Sequence, residues 1–327
     1  MSKSLALLAF LLFSSIAIAG WWKKQYPSAP ATQPLPLELA YLELPATPPP
    51  EERALPLDQA RCEAVFERKE EPLPQADRIE ELFRTSGKKL PIVETISYKS
   101  RTDWLKGRPA WISDYAAHHR TSRHFIARSL HGPREYLRQE VSEGDRFNVY
   151  RSDLDFQFNL VIDLSRRQLG LYYQRLDTGE RELIKSYRVG LGRPAPERES
   201  KLLTPIGQYL LGSKVAIFAP GIRGFYNGEK AEMIRLFGTR WIPFDKEIGP
   251  CSEPAKGYGI HGAPWRDDGQ GGLKEELASL DGYTSDGCVH LAAADMEELF
   301  AIILARPAVV ELVMDHRQAQ FPPAPKE

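Results

Sequence analysis

The sequence predicts a mostly β domain with one packed helix, preceded by a small β-α-α-β unit, and three observations carry that expectation. From Phe156 to Leu164, Phe156, Phe158, Leu160, Ile162 and Leu164 alternate with Gln157, Asn159, Val161 and Asp163, largely at the period of two that puts successive side chains on opposite faces of a strand. One late segment, residues 292–305, carries Met296, Leu299, Phe300, Ile303 and Leu304 as a helical stripe and stops before Pro307. Between residues 90 and 150, two short helical patterns are bracketed by two strand patterns.

The remaining elements follow in chain order. Residues 1–19 read as a secretory signal: Lys3 supplies a positive start, an apolar run follows, and Ala17-Ile18-Ala19 offers small residues for cleavage. An uncleaved anchor is the alternative, although the run is short against the roughly 17–25 apolar residues that span a bilayer. Residues 20–57 are proline-rich, with Pro48-Pro49-Pro50 at the centre, and read as an extended tether or as a leader without a role. Residues 58–88 hold two short helical patterns, 58–68 and 75–85, separated by Pro72 and Pro74.

In the unit at 89–151, strands are expected at 92–98 and 146–150 and helices at 111–118 and 122–129, with Ser122 as an N-cap. The strand-rich domain covers 155–315, turning at Ser165-Arg166-Arg167 and at Asp177-Thr178-Gly179-Glu180 and ending in a strand over 309–314. Residues 316–327 form a tail. No stretch after the signal is apolar enough to cross a membrane.

Composition excludes some function classes. The 327 residues carry 43 Lys and Arg against 44 Asp and Glu, so no global field draws the chain to nucleic acid or to an anionic membrane. There are three cysteines, Cys62, Cys251 and Cys288. In an oxidising compartment an odd count leaves a thiol unpaired or paired with another chain, while Cys62 and Cys251 could form a disulfide. His118, His119, His124 and His131 cluster in sequence but match no usual zinc spacing, and they read as helix-surface residues.

The chemistry concentrates in Gly259-Ile260-His261-Gly262 and in Ser285-Asp286-Gly287-Cys288-Val289-His290-Leu291. A free thiol is mostly protonated at neutral pH, and a histidine within reach activates it. Gly287 allows a sharp bend and close backbone approach. Backbone N–H groups around the cysteine can meet an oxyanion, and Ser285 can bond nearby backbone or steady the imidazole. The blander reading makes Cys288 a small buried hydrophobe and His261 a structural residue.

These segments resemble the L,D-transpeptidase (YkuD-type) family, in which a His-Gly pair precedes Ser-x-Gly-Cys within a mostly β domain. His261-Gly262 and Ser285-Asp286-Gly287-Cys288 match. Leu160-Val161-Ile162-Asp163-Leu164, Tyr187-Arg188-Val189-Gly190-Leu191-Gly192, Thr204-Pro205-Ile206-Gly207-Gln208-Tyr209 and Trp241-Ile242-Pro243-Phe244 stand in the family's order. The resemblance implies a β-sandwich catalytic domain and no cofactor. It makes Cys288 the nucleophile and His261 the base, and it places Ser285, Gly287, Gly262, His290 and Trp241 around an oxyanion and substrate pocket. The implied reaction attacks a peptidoglycan stem peptide after its third residue and passes the acyl group to an amine, giving a 3→3 cross-link. Water as acceptor would make a carboxypeptidase or amide hydrolase, and a protein amine would make an anchoring enzyme. A non-catalytic peptidoglycan-binding protein is the rival of another class.

Three departures from the family pattern stand out. The gap between His261 and Cys288 is 26 residues, longer than usual, with a flexible acidic stretch from Asp267 to Gly272 that reads as a surface insertion or a lid. Asp286 stands where many members have His. His290 stands where the family has Arg, and so cannot hold a carboxylate bidentately, though it could share the base role.

The unit at 89–151 resembles a LysM module, which holds glycan strands. The likeness rests on Trp111-Ile112-Ser113-Asp114-Tyr115-Ala116, Phe125-Ile126-Ala127-Arg128-Ser129-Leu130 and Glu143-Gly144-Asp145-Arg146-Phe147-Asn148-Val149, with Thr102-Asp103-Trp104-Leu105 in place of the usual Gly-Asp turn. A purely structural adaptor is the alternative.

Overall fold

The computed structural model describes residues 72–133 and 140–320. The signal, the tether, the helical pattern at 58–68, Cys62 and the last seven residues lie outside the described residues.

The first element is α1 (Ile79–Phe83), shorter than the pattern at 75–85 suggests. Backbone pairing wins at its start: Arg78 N–H donates to Ile184 O at 2.9 Å and Ser186 N–H to Ala76 O at 3.0 Å, which draws residues 76–78 alongside a later strand. Next come β1 (Val93–Ser97), α2 (Ile112–His118), α3 (Arg123–His131) and β2 (Arg146–Tyr150). The two strands pair antiparallel from Val93 with Tyr150 to Ser97 with Arg146. Ser122 caps α3, accepting from Phe125 N–H at 3.0 Å.

The remainder is mostly β. It runs through β3 (Phe156–Asp163), β4 (Gln168–Arg175), β5 (Arg181–Arg188), β6 (Leu191–Gly192), β7 (Gly207–Leu211) and β8 (Ala216–Ile217). A hairpin of β9 (Arg223–Tyr226) and β10 (Glu229–Glu232) leads into the single turn α4 (Ile234–Phe237), then β11 (Arg240–Cys251) and β12 (Gly259–Gly262). A second hairpin, β13 (Trp265–Asp267) and β14 (Leu273–Glu275), precedes β15 (Tyr283–Ser285), β16 (Val289–Leu291), α5 (Ala293–Ile303) and β17 (Ala308–Val313).

The main sheet has the order β16-β12-β11-β7-β17-β3-β4-β5, with β8 also on β11. β11 is its corner. Residues 240–243 pair with β12 and β8, whereas Phe244 onwards pairs with β7 through two register shifts. Bulges bend a strand, so one long strand serves two directions of sheet.

The alternation in β3 understates its burial, since all eight residues are buried. The polar face is satisfied internally: Asn159 Nδ2 donates to Gln174 Oε1 at 2.9 Å, and Asp163 accepts from Arg166 N–H at 2.8 Å. The stripe on α5 is buried as its spacing predicts, with Met296, Leu299, Phe300 and Ile303 all inside.

The β-α-α-β unit is docked on the strand-rich part. One apolar cluster runs through Leu82, Ile92, Phe125, Tyr150, Phe158, Leu299 and Phe300, while Tyr98, Ile112, Tyr115, Ile126 and Phe147 form a second cluster on the unit's far side. Ser122 Oγ donates to Ala301 O at 2.9 Å and Tyr150 Oη to Ile302 O at 2.7 Å. This docking corrects the expectation for His124, which is buried against Phe300 with ring centroids 5.5 Å apart instead of lying on a helix surface. Among the described residues, no cluster of His, Cys, Asp and Glu is arranged to hold a metal, and no helix is long and apolar enough to cross a membrane.

Candidate active site

Register brings the two sequence segments together. β12 and β16 are parallel neighbours, pairing Ile260 with Val289, His261 with His290 and Gly262 with Leu291. β11 lies on the other side of β12 and pairs Trp241 with His261. His290, His261 and Trp241 therefore stand in a row across three strands. The two imidazole centroids are 4.3 Å apart, and the Trp241 ring lies 5.7 Å from His261. Phe237 of α4 closes over the row, 5.3 Å from His261 and 5.0 Å from Trp241.

This enclosure sets the state of the imidazole. Burial pushes His261 down to about 4, so the ring is neutral at pH 7. Its Nδ1 lies 2.9 Å from Gly262 O. A carbonyl oxygen only accepts, so Nδ1 carries the proton and Nε2 keeps its lone pair. Gly262 thus contributes its carbonyl, as an orienting group. His290 is also buried, its basicity lowered by desolvation and then by His261, and its Nδ1 has no protein partner.

Cys288 enters at the start of β16 and is partly exposed. Its Sγ is 3.8 Å from Gly257 O. Burial of the sulfur pushes the thiol up to about 12; a backbone hydrogen bond from Gly259 opposes this, and the Asp286 charge adds to it. Thiol and imidazole are therefore both neutral at rest.

The loop before Cys288 is held by its own side chains and by glycine. Ser285 Oγ donates to Cys288 O at 2.7 Å and accepts from Gly287 N–H at 3.1 Å, so the serine fixes the backbone and not the imidazole. Gly287 has φ of 119°, and a Cβ there would meet Tyr258 Cε1 at 2.6 Å and Leu203 O at 2.8 Å. Asp286 pairs with Arg193, away from the imidazole.

Two functional-looking residues were missed. Gly259 aims its N–H at the sulfur, and a Cβ on it would strike Ile242 O at 2.7 Å and the Trp241 ring at 2.8 Å. It stands two places before His261, so the signal was present. Arg193 carried no signal, because its partner is 93 positions away.

The expectation of a flexible acidic loop is corrected. Asp267 ends β13 and is held by Arg235 at 2.7 Å, while Asp268 Oδ1 accepts from Gln270 N–H at 2.7 Å and Gly272 N–H at 2.9 Å. Hairpin pairing and this side-chain cap make the insertion an ordered ribbon.

Residues 157–311 match the family model of YkuD, the L,D-transpeptidase catalytic domain. Among solved structures, the chain is similar to the helical cell shape determining protein Pgp2 from Campylobacter jejuni, with 17% identity over 48% of this chain and 48% of that one and a TM-score of 0.31. It is also similar to Bd1075 from Bdellovibrio bacteriovorus, with 15% identity over 49% of this chain and 48% of that one and a TM-score of 0.32. Each match spans about half of the other protein's length. No curated protein matches the chain.

Proposed function

We propose that this protein is an exported cysteine L,D-transpeptidase of the cell envelope that forms 3→3 peptidoglycan cross-links through a thioester on Cys288. The observation that carries the reading is the parallel pairing of β12 with β16, which sets a neutral, Nδ1-protonated His261 on the strand beside the nucleophile loop, within a segment that matches the YkuD model. Cys288 attacks the carbonyl of the third stem residue, and its proton passes to His261 Nε2. The tetrahedral oxyanion is met by backbone N–H groups, with those near Gly287 and Gly259 the candidates. Collapse releases the fourth residue as its amine, which takes the proton back, and leaves the acyl-thioester. An acceptor amine then displaces the thiol and forms the cross-link.

The β-α-α-β unit is proposed as a LysM-like module that holds glycan strands. Trp111 and Trp104 are exposed there, and Trp104 is stacked on His118 at 4.3 Å, which offers flat apolar surface to a sugar face.

The test is mass spectrometry of muropeptides after incubation of disaccharide-tetrapeptide with wild type or Cys288→Ala. Cross-linked 3→3 dimers from wild type alone support the proposal. Tripeptide alone keeps the thioester and makes the protein a carboxypeptidase. Cys288-independent or absent products contradict it.

A further inference from the structure

Resting on the stem-peptide reading, a substrate cut one residue from its end brings a carboxylate to the site, and the protein must meet it with a cation. His290 is buried beside His261 and supplies none. One residue carries a chain at most about 3.6 Å, so that carboxylate must end beside the residues flanking Cys288. Two arginines approach from the segment after β6. Arg198 is already engaged with Tyr258 Oη at 2.8 Å, Leu203 O at 3.0 Å and Glu253 at 3.6 Å.

Arg193 is placed differently. Its N–H donates to Ser285 O at 2.9 Å and its carbonyl accepts from Leu203 N–H at 2.8 Å, so its backbone is fixed to the nucleophile loop. Gly192 before it is packed so tightly that a Cβ would meet Gly287 Cα at 2.9 Å. The Arg193 side chain is nevertheless 40% exposed, and its guanidinium pairs with Asp286, whose side chain is 54% exposed and which lies two residues before the nucleophile. A rigid root with an exposed fork suits bidentate carboxylate recognition.

We propose that Arg193 is the specificity-determining residue that binds the C-terminal carboxylate of the peptide, and that Asp286 occupies its guanidinium until substrate arrives. An exposed ion pair is weak, so the exchange of one carboxylate for another costs little. Asp286 then acts as an internal competitor, and the site favours tetrapeptides over donors whose end is blocked or extended.

The experiment is calorimetric titration of the Cys288→Ala protein with disaccharide-tetrapeptide and with the same compound amidated at its C-terminus. Both titrations are repeated with Arg193→Gln, Arg193→Lys or Asp286→Asn added, and turnover of both compounds is followed with Cys288 intact. The free carboxylate should bind about tenfold to a hundredfold more tightly than the amide. Arg193→Gln should erase that ratio by weakening only the carboxylate compound, Arg193→Lys should retain part of it, and Asp286→Asn should tighten the carboxylate compound and leave the amide unchanged. Equal affinities in the presence of Arg193, no binding of either compound, or an equal loss for both in Arg193→Gln would overturn the proposal. Discrimination without Cys288-dependent turnover would uphold it and sink the catalytic reading, whereas turnover without discrimination would do the reverse.

Discussion

At the scale of single residues, the site holds a neutral thiol and a neutral imidazole on segments that β12 and β16 bring together. The cause is enclosure: Trp241, Phe237 and His290 surround His261, and burial raises Cys288 to about 12. Many cysteine enzymes instead store a thiolate–imidazolium pair, which would show a reactive thiol at or below neutral pH. Here the sign is opposite. With the thiol raised and the imidazole lowered to about 4, the thiolate fraction is small at pH 7 and grows tenfold with each unit of pH. Iodoacetamide labelling of Cys288 should therefore rise log-linearly from about pH 7 to about pH 10. A plateau reached by neutral pH would contradict the neutral pair.

At the scale of elements, α5 is the hub. Glu298 on it is buried and takes Arg128 of α3 at 3.3 Å, Lys185 of β5 at 2.6 Å and Tyr187 at 3.1 Å. Removing the carboxylate takes a charged hydrogen-bond partner from buried Arg128 and Tyr187 and from Lys185, which keeps Asp295 at 3.1 Å, so Glu298→Ala should cost about 1–3 kcal/mol in a denaturant titration. A loss within error of a surface substitution would show that water reaches the cluster.

The hub also shows what sequence could and could not reveal. The α5 stripe, the β-α-α-β order and the Ser122 cap were legible because each depends on neighbours a few positions apart. His261 and Cys288 stood out by residue type alone, and the pairing of β12 with β16 that brings their segments together did not. The shortening of α1 was not legible, because a bridge from Asp77 to Lys185 overrode local helix preference. His124 was misread because the helix it lies on has a second buried face, supplied by α5. The acidic insertion was misread because Arg235, which anchors it, lies 32 positions earlier. The Arg193–Asp286 pair was invisible for the same reason.

At the scale of the whole molecule, the β-α-α-β unit and the strand-rich part share one apolar cluster, so neither buries its surface alone. Calorimetry should show one unfolding transition for both, and two resolved transitions would contradict the shared core. Acid should weaken this molecule. His124 and His261 titrate near 4 when folded against 6.5 when free, so the unfolded chain binds more protons between those values. Stability is then full above 6.5 and falls as pH drops toward 4, which a series of melting temperatures would reveal; a flat series would place these rings in contact with water.

The central claim is that Cys288 carries the acyl group. Acid-quenched intact-protein mass spectrometry with disaccharide-tetrapeptide as donor tests it most directly. The wild-type protein should gain the mass of the donor lacking its fourth residue, on the peptide that contains Cys288. Cys288→Ala should gain nothing, and His261→Ala should acylate far more slowly. An equal adduct on Cys288→Ala, or no adduct on wild type, would contradict the account.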